Sequence, residues 1–307
     1  ASPPVTRDAA PSTGQAPGTG APAQAAAAHV TLYVLSVGVS HFRAPALDLD
    51  NAANDARAVA DLFRGRNPPV YDEAVVKTLL DDQATAANID AALRDIGRHA
   101  GPDDLVLLFF AGHGEQVDGK YYFAPVEFGT GDPALLHQAM TAADDGTHPL
   151  DELFRREGYG QSRMLPAIQA IQAARVAVIL DTCFSGAIAT EDAVLRHDSN
   201  ATLTTALGHA SGRFVLSSAT ALALDSAGTA TGALPSDGQG HGLFTSFLLQ
   251  ALQGAADMDR TGRIDIYKLT MYTTRHVEAA TAKGRQEQTP AYFFNGSQFF
   301  DLRAVRD

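Results

Sequence analysis

The sequence predicts an α/β fold in which helices cover both faces of a parallel β-sheet. Near-continuous apolar runs, rich in β-branched residues, alternate with segments whose apolar residues recur at helical spacing. Runs of the first kind are typical of strands buried on both faces, and their alternation with helices predicts βαβ units. Ligands of such sheets bind beyond the carboxyl ends of the strands, so a functional site is expected at that edge.

Four apolar runs predict the buried strands. They lie at Thr31–Val39, Leu105–Ala111, Val176–Leu180 and Arg213–Ser218. Such near-continuous apolar runs are expected of strands buried on both faces.

Four further segments predict helices between and after these strands. Apolar residues in Asn51–Phe63 and Thr85–Ile96 form a single stripe at a spacing of three and four residues. The segments Gly242–Leu252 and Asp265–Ala279 show similar patterns. The first two of these segments lie between the strands Thr31–Val39 and Leu105–Ala111, as expected for a βαβ unit.

Composition and charge narrow the class of protein. Of the 307 residues, 45% are hydrophobic and 19% are charged, which is typical of a chain that folds around a core. The net charge of −12 gives no electrostatic reason to bind nucleic acid or anionic lipid. No stretch approaches the roughly 20 consecutive apolar residues of a membrane helix.

Residues 1–28 differ from the rest of the chain. They contain ten Ala, five Pro and three Gly, without any apolar periodicity. Such a segment cannot bury enough surface to order itself, so we expect a disordered linker. The sequence leaves open whether this linker connects to an upstream domain or regulator.

The chain has one cysteine, Cys183, which excludes a disulfide framework and any multi-cysteine metal site. It follows the strand Val176–Leu180, while His113 follows the strand Leu105–Ala111 between two glycines. Since parallel strands end at the same edge, a cysteine nucleophile and its histidine base can meet there. The alternative is a buried cysteine and a histidine that merely stabilises a turn.

Backbone N–H groups at the same edge are candidates for an oxyanion hole. The N–H groups of Gly114 and Cys183 flank the position where a substrate carbonyl would react. Glycines beside both side chains allow a substrate backbone to approach closely.

The segments FFAGHG, YYFAP and VILDTCFSGA resemble the caspase and metacaspase clan of cysteine peptidases, especially the bacterial caspase-like (orthocaspase or metacaspase-like) proteases. The resemblance covers about residues 31–300 and extends to LYVLSVGVSHF, NDA, SSA, HGLFTSFLLQAL and QTPAYF. It implies a caspase-like fold with a mostly parallel six-stranded sheet flanked by helices on both faces. It also implies that His113 is the general base and Cys183 the nucleophile.

The resemblance further implies a division of the peptidase domain, which we expect at residues 29–307. A large portion would span about residues 29–186, a processing loop about 187–212 and a small portion about 213–307. The chain departs from the family pattern beside the nucleophile. Phe184 stands where metacaspases usually have histidine, and Asp181-Thr182 stands where caspases have Gln-Ala.

By the same resemblance, Asp55 and Asp181 line the pocket for the residue before the scissile bond. Two carboxylates in a partly dry pocket favour Arg, then Lys. The alternatives are a solvated helix position for Asp55 and a capping or turn role for Asp181. Arg43 instead favours cleavage after Asp, because caspases use arginine to bind a substrate aspartate.

Three loops complete the expectations. Arg196 is the only Lys or Arg in residues 187–212, so a basic-specific enzyme would process itself there. No cofactor or metal is expected to be required, although acidic pairs at 144–145 and 191–192 leave Ca²⁺ activation open. The run from Asp257 to Asp265 matches nine positions of an EF-hand loop, but Lys268 replaces the final Glu, which favours a helix-to-helix turn.

These observations predict a caspase-like cysteine endopeptidase that cleaves proteins after Arg, then Lys, and processes itself. The alternatives are a catalytically silent scaffold or adaptor with the same fold, and a protease that cleaves after Asp. The expected partners are proteins or peptides with exposed Arg or Lys, with no nucleic acid and no membrane. The expected location is the cytoplasm of a bacterial-type cell.

Overall fold

The computed structural model describes residues 29–141, 148–184, 204–205, 207–209, 213–218, 240–282, 288–294 and 299–305. At positions 183 and 184 it describes the backbone alone. The predictions for the linker 1–28, for Arg196 and most of the processing loop, and for both acidic pairs lie outside the described residues.

One sheet organises the molecule, and six of its strands follow the order β2-β1-β3-β6-β7-β9. The first five of these strands are parallel, and β9 is antiparallel to β7. Strand β4 extends this sheet antiparallel to β3, and β5 pairs with β4, whereas β8 and β10 form a separate antiparallel pair. The predicted mostly parallel six-stranded sheet is confirmed. The strands are β1 Thr31–Gly38, β2 Glu73–Leu80, β3 Leu105–Val117, β4 Lys120–Phe123, β5 Tyr159–Gly160, β6 Arg175–Phe184, β7 Phe214–Ser217, β8 Arg263–Asp265, β9 Ala291–Phe293 and β10 Asp301–Ala304.

Helices flank this sheet in two groups. Helices α1, α6 and α7 pack together, and α2 packs with α5. The four helices predicted from apolar spacing correspond to α1, α2, α6 and α7. The helices are α1 Ala52–Leu62, α2 Ala86–His99, α3 Pro133–Thr141, α4 Pro149–Glu157, α5 Gln161–Gln169, α6 Leu243–Gln250 and α7 Ile266–Thr281. Among the described residues, none of these helices has both the length and the apolar character to cross a membrane.

The core explains which strands are central. Strand β3 is buried along almost its whole length, whereas side chains of β2 alternate between exposed and partly buried. A continuous apolar run therefore corresponds to a strand covered on both faces, and alternation corresponds to the sheet edge. At the end of β1, a Cβ on Gly38 would lie only 2.5 Å from the Ala52 carbonyl oxygen. Glycine at this position lets α1 pack directly against the sheet, which brings Asp55 toward the strand ends.

Two strands are longer than the sequence analysis predicted. Strand β3 continues from Ala111 through His113 to Val117, and β6 continues from Leu180 to Phe184. The prediction that both strands stop before their polar residues was wrong. Because β3 and β6 pair with each other through these positions, their polar residues keep their backbone hydrogen bonds.

Candidate active site

Two strands place His113 and Cys183 side by side. In the parallel ladder between β3 and β6, Ala111 pairs with Asp181 and His113 pairs with Cys183. Neighbouring strands are about 4.8 Å apart, and paired residues lie on the same face of the sheet. The backbone thus brings together the histidine and cysteine positions that the sequence analysis identified.

The His113 ring is held by a backbone carbonyl and by an aromatic side chain. Its Nε2 lies 2.9 Å from the carbonyl oxygen of Leu47, and its centroid lies 5.3 Å from that of Phe42. Burial lowers the pKa of His113, and the hydrogen bond to Leu47 opposes part of this effect. The imidazole is therefore neutral at neutral pH. Since a carbonyl can only accept, Nε2 carries the proton and Nδ1 keeps its lone pair.

Both glycines next to His113 are required by their surroundings. Gly112 has a φ of 151°, in the region that favours glycine. A Cβ on Gly114 would lie 3.0 Å from the Thr182 side chain and 3.2 Å from the Tyr121 ring. Any larger residue at 114 would push β3 away from β6 and disturb the register of His113 with Cys183.

Asp55 is buried on α1, with only 2% of its surface exposed. One carboxylate oxygen lies 2.8 Å from Nδ1 of His241, and the other accepts a hydrogen bond of 3.1 Å from the Gly242 N–H. The alternative of a solvated helix position for Asp55 is therefore wrong. The carboxylate instead faces the start of α6.

Asp181 is buried in β6, two residues before Cys183. Its carboxylate accepts a hydrogen bond of 2.5 Å from the Thr245 hydroxyl. Burial raises the pKa of Asp181 to about 6, although hydrogen bonds from Thr245 and Ser218 favour the charged form. Thr245 lies in the first turn of α6, so Asp181 also stabilises the N-terminus of that helix.

The two carboxylates converge on Gly242. A Cβ at this position would lie 3.1 Å from an oxygen of Asp55 and 3.6 Å from an oxygen of Asp181. A side chain there would fill the space that both acids face. The structure thus brings together the two acidic residues from α1 and β6 beside one helix end.

Several partners of this site were not identified from the sequence. These are the carbonyl of Leu47, the imidazole of His241, and the Gly242 and Thr245 groups of α6. Their only sequence signal was the segment HGLFTSF, in which the histidine, the glycine and the threonine precede or begin a predicted helix.

The remaining predicted site residues have clear positions. Gly114 pairs with Phe123 of β4 on one side and with Phe184 of β6 on the other. Arg43 is exposed and directly follows Phe42, and its backbone N–H donates to the Val126 carbonyl. Within the described part of the chain, no group of three or more His, Cys, Asp or Glu side chains is arranged to hold a metal ion.

Comparisons with known proteins bear on the family and the fold. The model of the family described as Caspase domain matches residues 31–299. The structure is similar to protein GSU0716 from Geobacter sulfurreducens, with a TM-score of 0.54, 16% identity, and coverage of 90% of this chain and 100% of that one.

Two further solved structures are similar in outline. Caspase-1 from Spodoptera frugiperda has a TM-score of 0.48 and 11% identity, with 91% of this chain and 92% of that chain covered. The structure of pro-sf-caspase-1 has a TM-score of 0.47 and 12% identity, with 91% of this chain and 94% of that chain covered. No curated protein matches the sequence.

Proposed function

Because the chain belongs to the Caspase domain family of peptidases, we propose that it is a cysteine endopeptidase that cleaves after Arg, and less efficiently after Lys. The observation that carries this proposal is the register of His113 with Cys183 on neighbouring parallel strands. A binding module would have no need for a histidine and a cysteine at paired positions with a glycine on each side of the histidine.

His113 acts as the base in the proposed reaction. Its neutral imidazole accepts the thiol proton at Nδ1, because Nε2 is already committed to the Leu47 carbonyl. The resulting imidazolium and thiolate form the reactive pair. The low pKa of His113 favours return of this proton, which suits its later role as an acid.

The chemistry then proceeds by covalent catalysis. The Cys183 thiolate attacks the scissile carbonyl, and backbone N–H groups of Gly114 and Cys183 stabilise the negative charge on its oxygen. His113 protonates the departing amine as the carbon–nitrogen bond breaks, which leaves a thioester on Cys183. Water, activated by His113, then hydrolyses the thioester and releases the carboxylate product.

Asp55 and Asp181 select the residue before the scissile bond. Both acids face the space beside Gly242 and both are buried, so an acidic substrate side chain would meet like charge there and a neutral one would add no opposite charge. A guanidinium can form charge-assisted hydrogen bonds to two carboxylates at once, which an ammonium does less well. His241 belongs to the same pocket through its contact with Asp55.

Self-processing follows from the same specificity. Residues 187–212 lie between the nucleophile strand and β7 in the sequence, and Arg196 is the single Lys or Arg among them. We include cleavage after Arg196 in the proposal, with the two fragments held together by the shared sheet.

A panel of fluorogenic peptides that differ only in the residue before the cut tests this function. We expect strong cleavage after Arg, weaker cleavage after Lys and none after Asp. Cleavage after Asp alone would contradict the proposed pocket and assign recognition to Arg43, which is exposed beside the residue that packs on His113. Failure to cleave any peptide, together with no labelling of Cys183 by a thiol-reactive probe, would support a silent scaffold instead.

A further inference from the structure

The loop between α6 and α7 follows the ligand pattern of a calcium-binding EF-hand loop. In such loops, side chains at positions 1, 3 and 5 and the carbonyl at position 7 bind the ion, position 6 is glycine, and position 12 is a bidentate Glu. The chain satisfies every one of these positions except the last. Positions 1, 3 and 5 hold Asp257, Asp259 and Thr261. Positions 6 and 7 hold Gly262 and Arg263, and position 12 holds Lys268.

The Lys268 ammonium lies among the oxygens that would otherwise bind the ion. It donates to Asp257 at 3.1 Å, to the Thr261 hydroxyl at 2.5 Å and to the Arg263 carbonyl at 3.0 Å. It also donates to the Asp259 carboxylate. These are the oxygens of positions 1, 3, 5 and 7, so the side chain of position 12 supplies a cation in the place of the metal.

The backbone of the loop has the conformation that such a ligand set requires. The Asp257 carboxylate accepts hydrogen bonds from the N–H groups of Thr261 at 3.0 Å and Gly262 at 2.8 Å. Gly262 has a φ of 72°, which favours glycine at position 6. Asp265, at position 9, caps α7 by accepting the N–H of Lys268 at 2.8 Å.

The side chain of Lys268 is well sheltered, with 16% of its surface exposed. A lysine on a solvated helix face keeps its ammonium in water, whereas this one turns back into the loop. The two carboxylates it contacts differ in exposure, since Asp257 is 11% exposed and Asp259 is 57% exposed. Without the ammonium, two negative side chains would face each other over a partly buried space.

We propose that this loop is a calcium-type loop in which the Lys268 ammonium is the resident cation, and that removing the lysine uncovers a Ca²⁺ site. The covalently attached cation joins the end of the α6 segment to α7 without any metal. The loop therefore connects α7 to the segment of α6, which packs on α7 and whose start, at Gly242 and Thr245, contacts Asp55 and Asp181. The inference does not depend on the proposed peptidase function.

The test compares thermal unfolding of the full chain in Ca²⁺ and in EGTA. The variant Lys268→Glu removes the cation and restores the missing bidentate ligand. We expect its unfolding midpoint to fall in EGTA and to rise with Ca²⁺, on the order of 5 °C when Ca²⁺ is about 100 times its Kd. The midpoint of the unmodified chain should change much less between the two conditions.

Three further variants make the result specific. Lys77→Glu makes the same charge change on exposed β2 and should respond to Ca²⁺ no more than the unmodified chain. Adding Asp257→Asn to Lys268→Glu should remove the Ca²⁺ response. Lys268→Ala opens the loop without adding a ligand, so it should gain a smaller Ca²⁺ response than Lys268→Glu. It provides the test if Lys268→Glu fails to fold.

Two outcomes would overturn the proposal. The first is a Ca²⁺ response of Lys268→Glu and Lys268→Ala equal to that of the unmodified chain or of Lys77→Glu. The second is a Ca²⁺ response of the unmodified chain that Asp257→Asn abolishes, because the loop would then bind the metal with its lysine in place.

Discussion

Nε2 of His113 lies 2.9 Å from the carbonyl oxygen of Leu47, which sits at the end of a short turn after β1. This contact assigns the proton of the neutral imidazole to Nε2 and leaves Nδ1 as the basic nitrogen. The acceptor is a main-chain oxygen, so its identity is insensitive to the side chain at position 47. The orientation of the His113 imidazole therefore depends on the path of the loop between β1 and α1.

Cys183→Ala should abolish peptide cleavage, and His113→Ala should reduce kcat/KM by at least about 10³-fold. Because the two residues act as one unit, the double variant should be scarcely slower than either single variant. His137→Ala, a substitution on the exposed side of α3, is the matched control and should retain activity. Robust turnover by the Cys183→Ala protein would exclude the proposed mechanism.

The pH dependence of peptide cleavage should differ from the pH dependence of Cys183 alkylation. The pKa of Asp181 is raised to about 6 by burial, so the pocket loses a negative charge as the pH falls through that value. We expect kcat/KM for an Arg peptide to decline below about pH 6 for this reason. Alkylation of Cys183 by a small neutral reagent should lack this decline, as should peptide cleavage by Asp181→Asn. The same decline below pH 6 in peptide cleavage, in alkylation and in cleavage by Asp181→Asn would rule out Asp181 as its cause.

Asp181→Asn should make the protein more stable near neutral pH while it impairs Arg recognition. The pKa of Asp181 is higher in the folded state than in the unfolded state. The free energy of unfolding therefore falls as the pH rises from about 4 through about 6. Asparagine removes the buried charge and keeps an oxygen that accepts from Thr245. Urea unfolding should show a gain on the order of 1–3 kcal/mol near neutral pH, which shrinks in acid. A large loss of stability at both pH values would contradict this sign.

Asp55→Asn should reduce kcat/KM for Arg peptides by at least about tenfold, since a buried charge pair with the substrate is lost. Reaction of a small thiol-directed probe with Cys183 should be unaffected, because the probe does not enter the pocket. Asp61→Asn, on the exposed side of the same helix, serves as the control and should match the unmodified enzyme. Equal losses for the probe and the peptides would instead indicate a folding defect.

Incubation of the active enzyme should yield two fragments that meet at the Arg196–His197 bond. N-terminal sequencing of the smaller fragment checks the position, and Arg196→Ala should prevent the cut. Cys183→Ala should also stay intact, which distinguishes self-processing from a contaminating protease. Active protein that remains uncut, or a cut elsewhere in the loop, would refute this assignment.

The central strands could be predicted from the sequence, because a strand that is buried on both faces has a continuous run of apolar residues. The run Leu105–Ala111 is continuous and apolar, and it proved to be the centre of β3. The extension of β3 through His113 shows no such run, since it depends on pairing with β6 some 70 residues later in the chain. The local sequence Gly-His-Gly is typical of a turn, although the structure pairs these residues with a neighbouring strand.

The partners of the acidic pair were harder to predict for the same reason. His241 contacts Asp55 across 186 residues, and neither position stands out by periodicity. The acidic residues themselves were identified through the family resemblance rather than through any local pattern. The sequence shows Lys268 only as a replacement of the final Glu of a calcium motif, because spacing does not reveal that its ammonium turns back into the loop.

The groups around Gly242 come from both sides of the predicted processing loop. Asp55 and Asp181 precede that loop, whereas Gly242 and Thr245 follow it. Cleavage within residues 187–212 would therefore place the two acids on one piece and Gly242 and Thr245 on the other, so the proposed Arg specificity would require both pieces. Separately expressed halves would act as complementation partners, and recovery of Arg cleavage on mixing them would report directly on their association.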